Sequence, residues 1–221
     1  MKNLLFTISG ILSLVYVTIN TLIWTIVALT PIILLKLLLP FKPVKNILGR
    51  VATGIGSYWV FWNNFGMCAS NKIEVIVEGD EQLDPNLWYL VICNHQSWVD
   101  IPLLQRVLYK KVPFIKFFLK KQLFWVPILG TAWWALDFPF MKRYTLDQIR
   151  KNPNLKTKDK ETTRKACEKV KQRPVSIMTF VEGTRFTPEK KQKISSPYTH
   201  LMRPKAAAIG LIMTNMQETL N

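Results

Sequence analysis

From Asn3 to Leu35 the chain carries no charged residue. About 20 apolar residues suffice to cross the hydrocarbon core of a bilayer, and these 33 would run roughly 50 Å as a helix. Two full spans and a turn do not fit. The stretch is longer than the apolar region of a secretory signal and has no small-x-small cleavage site. Pro31 divides it, which leaves two arrangements. One is a single span near Leu4–Leu29 followed by an interfacial piece, Ile32–Leu39. The other is a short re-entrant hairpin that enters and leaves one leaflet. Lys36, Lys42, Lys45 and Arg50 follow the stretch, against Lys2 and the amino terminus before it. The positive-inside bias therefore places the remaining chain in the cytoplasm.

Next, Ile47, Val51, Ile55, Tyr58, Trp62 and Phe65 recur at helical spacing, with Trp59 and Phe61 adding aromatic surface. The segment reads as an amphipathic helix at the headgroup level or as a helix packed on a soluble core. The chain thus divides into a membrane anchor at 1–40, an interfacial helix at 41–70 and a globular domain at 71–221.

The formal charge of +16 lies entirely in residues 101–221, which hold 24 Lys/Arg and 8 Asp/Glu. Such a surface attracts nucleic acid or anionic membrane. The uncharged N-terminal stretch and the lack of a nucleic-acid-binding motif favour the membrane. Cys68, Cys93 and Cys167 form no C-x-x-C pair and have no His at metal-ligand spacing. They read as reduced thiols, with no metal site.

In the globular part, Ile73, Val75 and Val77 alternate with acidic residues as in a half-buried strand, and Leu87–Cys93 suits a buried one. Val112–Phe117, Phe138–Met141 and Val175–Val181 are further strands, with Pro113 and Pro139 confined to strand starts or edges. Ile101–Leu108, Phe118–Phe124, Thr131–Leu136 and Lys158–Lys171 are expected helices, and Arg150–Lys158 a loop. The alternation predicts an α/β fold, a mixed sheet flanked by helices behind the N-terminal anchor.

His95 follows a strand on the turn that opens a helix, and Asp100 lies five residues on. A neutral imidazole can take a proton from an attacking hydroxyl, and a carboxylate on its other nitrogen fixes the tautomer. Ser97-x-x-Asp100 also fits a capping box, which would make Asp100 a helix-start residue only. Farther on, Glu182-Gly183-Thr184-Arg185 closes another strand. Gly183 allows a tight turn, Thr184 offers a hydroxyl, and Arg185 offers a planar fork of donors suited to phosphate. Glu182 could hold Arg185 or a glycerol hydroxyl. By itself this turn reads as a surface salt bridge.

Together the two blocks resemble the phospholipid/glycerol acyltransferase family, typified by 1-acylglycerol-3-phosphate acyltransferases. The family's N-H-x-x-x-x-D and E-G-T-R stand in full and in order, 87 residues apart from His95 to Glu182. Its second block is similar to Gly130 through Phe138–Arg143. The resemblance covers about Leu87–Met213. It implies His95 as general base and Asp100 as its partner. It implies Gly183 and Arg185 as binders of the acceptor's phosphate, with Glu182 and Thr184 shaping that site and Arg143 as a further contact. It also implies acyl-CoA or acyl carrier protein as co-substrate, no cofactor and no metal, and a lysophospholipid acceptor. Phe180–Thr187 and Pro197–Ala208 look most like a bacterial inner-membrane subgroup. The family usually continues past E-G-T-R with another strand and a Pro-containing block, whereas 36 residues follow Arg185 here and Lys205–Leu220 reads as a helix. The expectation is a C-terminally short domain with an exposed sheet edge. The competing reading is a truncated, non-catalytic membrane module that binds anionic lipid.

Overall fold

The computed structural model describes residues 2–70, 74–79, 82–141, 144 and 146–220. They fall into two compact units. The first is drawn from Met1–Gln82, Pro102–Tyr109 and Phe124–Asp137, the second from Leu83–Ile101, Lys110–Leu123 and Phe138–Asn221.

The first unit is built on a long helix, α1 (Lys2–Ile23), which passes through a π-helical segment, Trp24–Leu29, directly into α2 (Thr30–Leu38). Within it, Thr7–Leu38 is long and apolar enough to cross a membrane. Pro31 was expected to divide this stretch, and it does not. A proline inside an α-helix clashes with a preceding carbonyl and removes a donor. Here a wider π turn lies just before it, and Thr30 Oγ1 donates to Thr25 O at 3.4 Å. The reversal comes after Leu38, ahead of α3 (Lys42–Ser70).

Helix α3 runs back along α1. Tyr16 Oη donates to Trp62 O at 2.8 Å, Trp59 Nε1 to Thr21 Oγ1 at 3.1 Å, and Asn20 Nδ2 to Asn63 Oδ1 at 2.8 Å. Trp24 stacks on Tyr58 with ring centroids 6.0 Å apart. A side chain at Gly66 would fall inside the Tyr16 ring, so the glycine is what admits the tyrosine. The expected amphipathic helix is therefore present and longer than its apolar repeat. It packs on the N-terminal helix, while Ile47, Val51, Phe61 and Phe65 stay exposed. Lys36 sits buried on α2. It donates to Ala135 O and pairs with Asp137 Oδ1 at 3.0 Å, at the end of α5 (Leu129–Ala135).

The second unit carries the sheet. Strands β1 (Tyr89–Cys93), β2 (Ile115–Phe117) and β5 (Ser176–Phe180) form a parallel sheet in the order β1-β5-β2. The register sets Tyr89 opposite Ser176 and Cys93 opposite Phe180 on one side of β5, and Ile115 opposite Ser176 on the other. Two short strands, β3 (Leu119–Lys120) and β4 (Phe140–Met141), pair in parallel apart from it. Central β5 is the most deeply buried strand, with Ser176, Ile177 and Met178 all out of solvent. Two helices, α7 (Asn154–Val170) and α8 (Ala206–Met216), pack together. Their Cys167, Val170, Ile212 and Met216 close with Val175 and Ile177 over one core, which Trp88, Leu90 and Phe118 edge. Burial of this apolar surface is the dominant favourable term.

The α/β architecture is as expected, and every described strand pairing is parallel. Three local expectations fail. Residues 74–79 pair with no strand, and Ile76 and Val77 are exposed; Ile73 lies outside the described residues. The stretch Phe118–Phe124, expected as a helix, is strand β3 followed by a 3-10 turn, Lys121–Trp125. The loop expected at Arg150–Lys158 is helical on both sides of Asn152-Pro153: α6 (Leu146–Lys151) precedes it and α7 begins at Asn154. Proline is tolerated in a first helical turn, so Pro153 starts a helix there. Finally, Leu220 makes an isolated parallel bridge to Trp88, beside the start of β1.

Candidate active site

After β1 the chain turns through residues 94–99, and helix α4 (Asp100–Leu108) starts at the aspartate. The Asp100 carboxylate reaches back across this turn. Its Oδ2 accepts the backbone N–H of Gln96 and of Ser97, each at 2.8 Å, and lies 2.8 Å from His95 Nδ1. Ser97 Oγ accepts the Val99 N–H at 3.2 Å. The capping and dyad readings thus turn out to be one set of hydrogen bonds. By satisfying the turn's N–H groups, the carboxylate is fixed where the imidazole meets it.

Burial alone would raise the Asp100 carboxyl. The bonds from His95, Ser97 and Gln96 outweigh it and hold the group below the ordinary carboxylate value. An ionised Asp100 accepts only, so Nδ1 is the nitrogen that donates to it, and in the neutral imidazole the lone pair then sits on Nε2. The imidazole lies flat on the Phe180 ring, 3.8 Å between centroids and 13° between planes. Phe180 ends β5 opposite Cys93, so strand register alone brings this ring under the histidine. Phe117 on β2 continues the stack at 6.3 Å. The neighbouring Cys93 thiol is pushed up by burial and by the Asp100 and Glu182 charges, which keeps it protonated.

The second block folds onto the first. Gly183 N donates to Phe180 O at 3.0 Å to close a turn, with Gly183 at φ +68°, a conformation that favours glycine. Phe186 N then donates to His95 O at 2.8 Å and ties the two loops together. Arg185 lays its guanidinium over the Trp98 ring, Cζ 4.2 Å from the centroid. Lys190 Nζ donates to Thr184 Oγ1 and to Arg185 O, each at 3.1 Å. The Lys205 side chain rests against Gly183, where an added Cβ would meet its Cδ at 3.0 Å and its Nζ at 3.1 Å.

His95, Asp100, Gly183, Thr184 and Arg185 therefore gather where β1 and β5 end. Glu182 does not pair with Arg185. It is 2% exposed, and Oε1 accepts the Met202 N–H at 3.0 Å, which pins the segment leading to Lys205. Arg143 lies outside the described residues. Phe180, Trp98, Lys190 and Lys205 were not anticipated. Phe180 and Trp98 lay inside the quoted blocks, but only the β1–β5 pairing reveals what they face. Among the described residues no group of three or more His, Cys, Asp or Glu could hold a metal.

What such a site can do is move a proton beside a turn that presents the Arg185 guanidinium. The family model described as "Acyltransferase" matches residues 74–215. No curated protein matches the chain. Among solved structures, the crystal structure of the 1-acyl-sn-glycerophosphate (LPA) acyltransferase PlsC from Thermotoga maritima is similar in fold. The TM-score is 0.52 at 21% identity, over 95% of this chain and 71% of that one. With the family model spanning well over half of its length and both sequence blocks folded into one site, the chain belongs to the acyltransferase family and is an O-acyltransferase.

Proposed function

We propose that the protein moves a fatty acyl group from acyl-CoA or acyl carrier protein to a hydroxyl of a lysophospholipid such as 1-acyl-glycerol-3-phosphate, at a membrane. The observation that carries this reading is the His95–Asp100 pair at 2.8 Å, tied by the Phe186–His95 backbone bond to the Gly183–Arg185 turn. A general base and an anion-binding turn on one frame suit an acceptor that carries both a hydroxyl and a phosphate.

In this mechanism the acceptor hydroxyl attacks the thioester carbonyl while its proton passes to His95 Nε2. Asp100 stabilises the resulting imidazolium. The tetrahedral intermediate collapses, the C–S bond breaks, and the leaving thiolate takes the proton back from His95. The ester and the free thiol are the products. Arg185, Gly183 and Thr184 hold the phosphate, and Arg143 adds a further contact. The acceptor named for the Thermotoga maritima protein is of this class. The apolar Thr7–Leu38 helix supports a membrane anchor, which we assign to a bacterial inner membrane with the catalytic residues on the cytoplasmic side. The basic residues 101–221 suit anionic donors and an anionic leaflet.

The test is turnover in detergent–lipid micelles with 1-acyl-glycerol-3-phosphate and a labelled acyl-CoA or acyl carrier protein. Diacyl product is expected from the wild type, and none above background from His95→Ala. Wild-type turnover by that variant would overturn the mechanism. Salt-dependent binding to anionic vesicles without acyl transfer would favour the non-catalytic lipid-binding module instead.

A further inference from the structure

Trp98 is conspicuous. It lies in the loop between His95 and Asp100 and is 70% exposed, yet one face of its indole carries the Arg185 guanidinium. At 4.2 Å from the centroid the cation is well inside the reach of a cation–π contact. Both partners sit on a fixed frame, because Phe186 N is bonded to His95 O and Lys190 Nζ holds the Arg185 carbonyl.

The choice of an aromatic partner has a chemical meaning. An arginine that must wait for an anion needs to be held in place without being neutralised. A carboxylate would hold it, but would also occupy its N–H donors and compete with the incoming phosphate. An aromatic face orients the guanidinium plane and leaves the in-plane donors and the full charge available. Among the described residues no carboxylate pairs with Arg185, and Glu182, adjacent to this turn, is committed to Met202.

We propose that Trp98 is a positioning residue for acceptor binding, which pre-orients Arg185 toward the acceptor's phosphate. This rests on the reading of Arg185 as the phosphate contact. The experiment measures steady-state kinetics in mixed micelles with 1-oleoyl-glycerol-3-phosphate and palmitoyl-CoA for Trp98→Leu, Trp98→Phe, Arg185→Ala and the Leu/Ala double variant. Trp98→Leu should raise the acceptor KM roughly 2- to 5-fold, the size of an exposed cation–π contact. The donor KM and kcat should stay within about twofold, and Trp98→Phe should restore most of the loss, since it keeps an aromatic face. In the Arg185→Ala background the Trp98→Leu change should add nothing, because the contact is already gone. An equal effect in that background, or a shift in donor KM instead, overturns the assignment. If Arg185→Ala leaves the acceptor KM unchanged, the phosphate reading of Arg185 fails, and this one with it. Because Trp98 is exposed, its truncation opens no core; Trp98→Gln, of similar length but without a ring, repeats the test should the leucine variant fold poorly, and must behave as predicted for leucine.

Discussion

Replacing Asp100 by asparagine and by alanine should give two very different enzymes. All three bonds to the side chain, from His95 Nδ1, Gln96 N and Ser97 N, converge on one oxygen at 2.8 Å. Two of those partners are backbone N–H groups, which only donate. In Asp100→Asn they therefore select the amide oxygen for that position. His95 Nδ1–H still finds an acceptor, and the tautomer with a free Nε2 survives. What is lost is the negative charge that stabilises the imidazolium. A charge-assisted bond is worth about 1.5–3 kcal/mol against about 1 for a neutral one. The difference, roughly 0.5–2 kcal/mol, corresponds to an approximately 2- to 30-fold drop in kcat. In Asp100→Ala the tautomer is no longer enforced, and the whole general-base contribution is at risk, about 10²–10⁴-fold. Thermal melts should show a cost of about 0.5–2 kcal/mol for alanine, as for a lost helix cap, and less for asparagine. The assay is initial-rate thiol release from acyl-CoA at saturating acceptor. Equal inactivation by the two substitutions, with both proteins folded, would refute the argument that the backbone amides orient the side chain. The pH dependence has a definite sign. The Asp100 carboxyl is depressed in the folded state, so its stabilisation is complete above its unfolded value of about 3.9 and is lost as pH falls through the folded value. The stability gap between wild type and Asp100→Asn should close in acid, below roughly pH 4.

Other outcomes follow from neighbouring features. Gly183→Ala places a Cβ at φ +68° against Lys205, and should cost about 1–2 kcal/mol in a melt and raise the acceptor KM. Asp137→Asn should destabilise more than Lys36→Met, about 2–4 against about 1–2 kcal/mol by denaturant titration, because it leaves the buried ammonium without its counter-charge, whereas Asp137 is 24% exposed and can rehydrate. The Cys167 thiol is fully buried and pushed up to about 11 by that burial. Alkylation near pH 8 should label exposed Cys68 at once and reach Cys167 only on unfolding, so that mass spectrometry reads the opening of the sheet unit.

The parts of the fold that were legible in the sequence are those with strong local signals. Uncharged length announced the N-terminal helix, period 3.6 announced α3, and the apolar runs ending at Cys93 and Val181 announced β1 and β5. The misses share a cause. Pro31 and Pro153 read as breaks, since proline usually ends a helix. One follows a π turn and the other stands at a helix start, and both outcomes depend on backbone geometry that composition does not encode. The period of Ile73, Val75 and Val77 is that of a strand, but a strand also needs a partner, and none of the described residues supplies one. At the site, the identities of His95, Asp100, Gly183 and Arg185 were readable, while their physical connections were not. That His95 rests on Phe180, and Arg185 on Trp98, follows from pairing β1 with a strand 87 residues away.

The polar seam between α1 and α3 bears on how this helix pair holds together. In water two apolar helices associate because their faces avoid solvent. In lipid that drive vanishes, and association relies on close packing and on hydrogen bonds between helices. This pair has both kinds of tie. Asn20 to Asn63, Trp59 to Thr21 and Tyr16 to the Trp62 carbonyl fix its alignment, and Gly66 admits the Tyr16 ring. These ties therefore remain where the hydrophobic drive between the helices is absent.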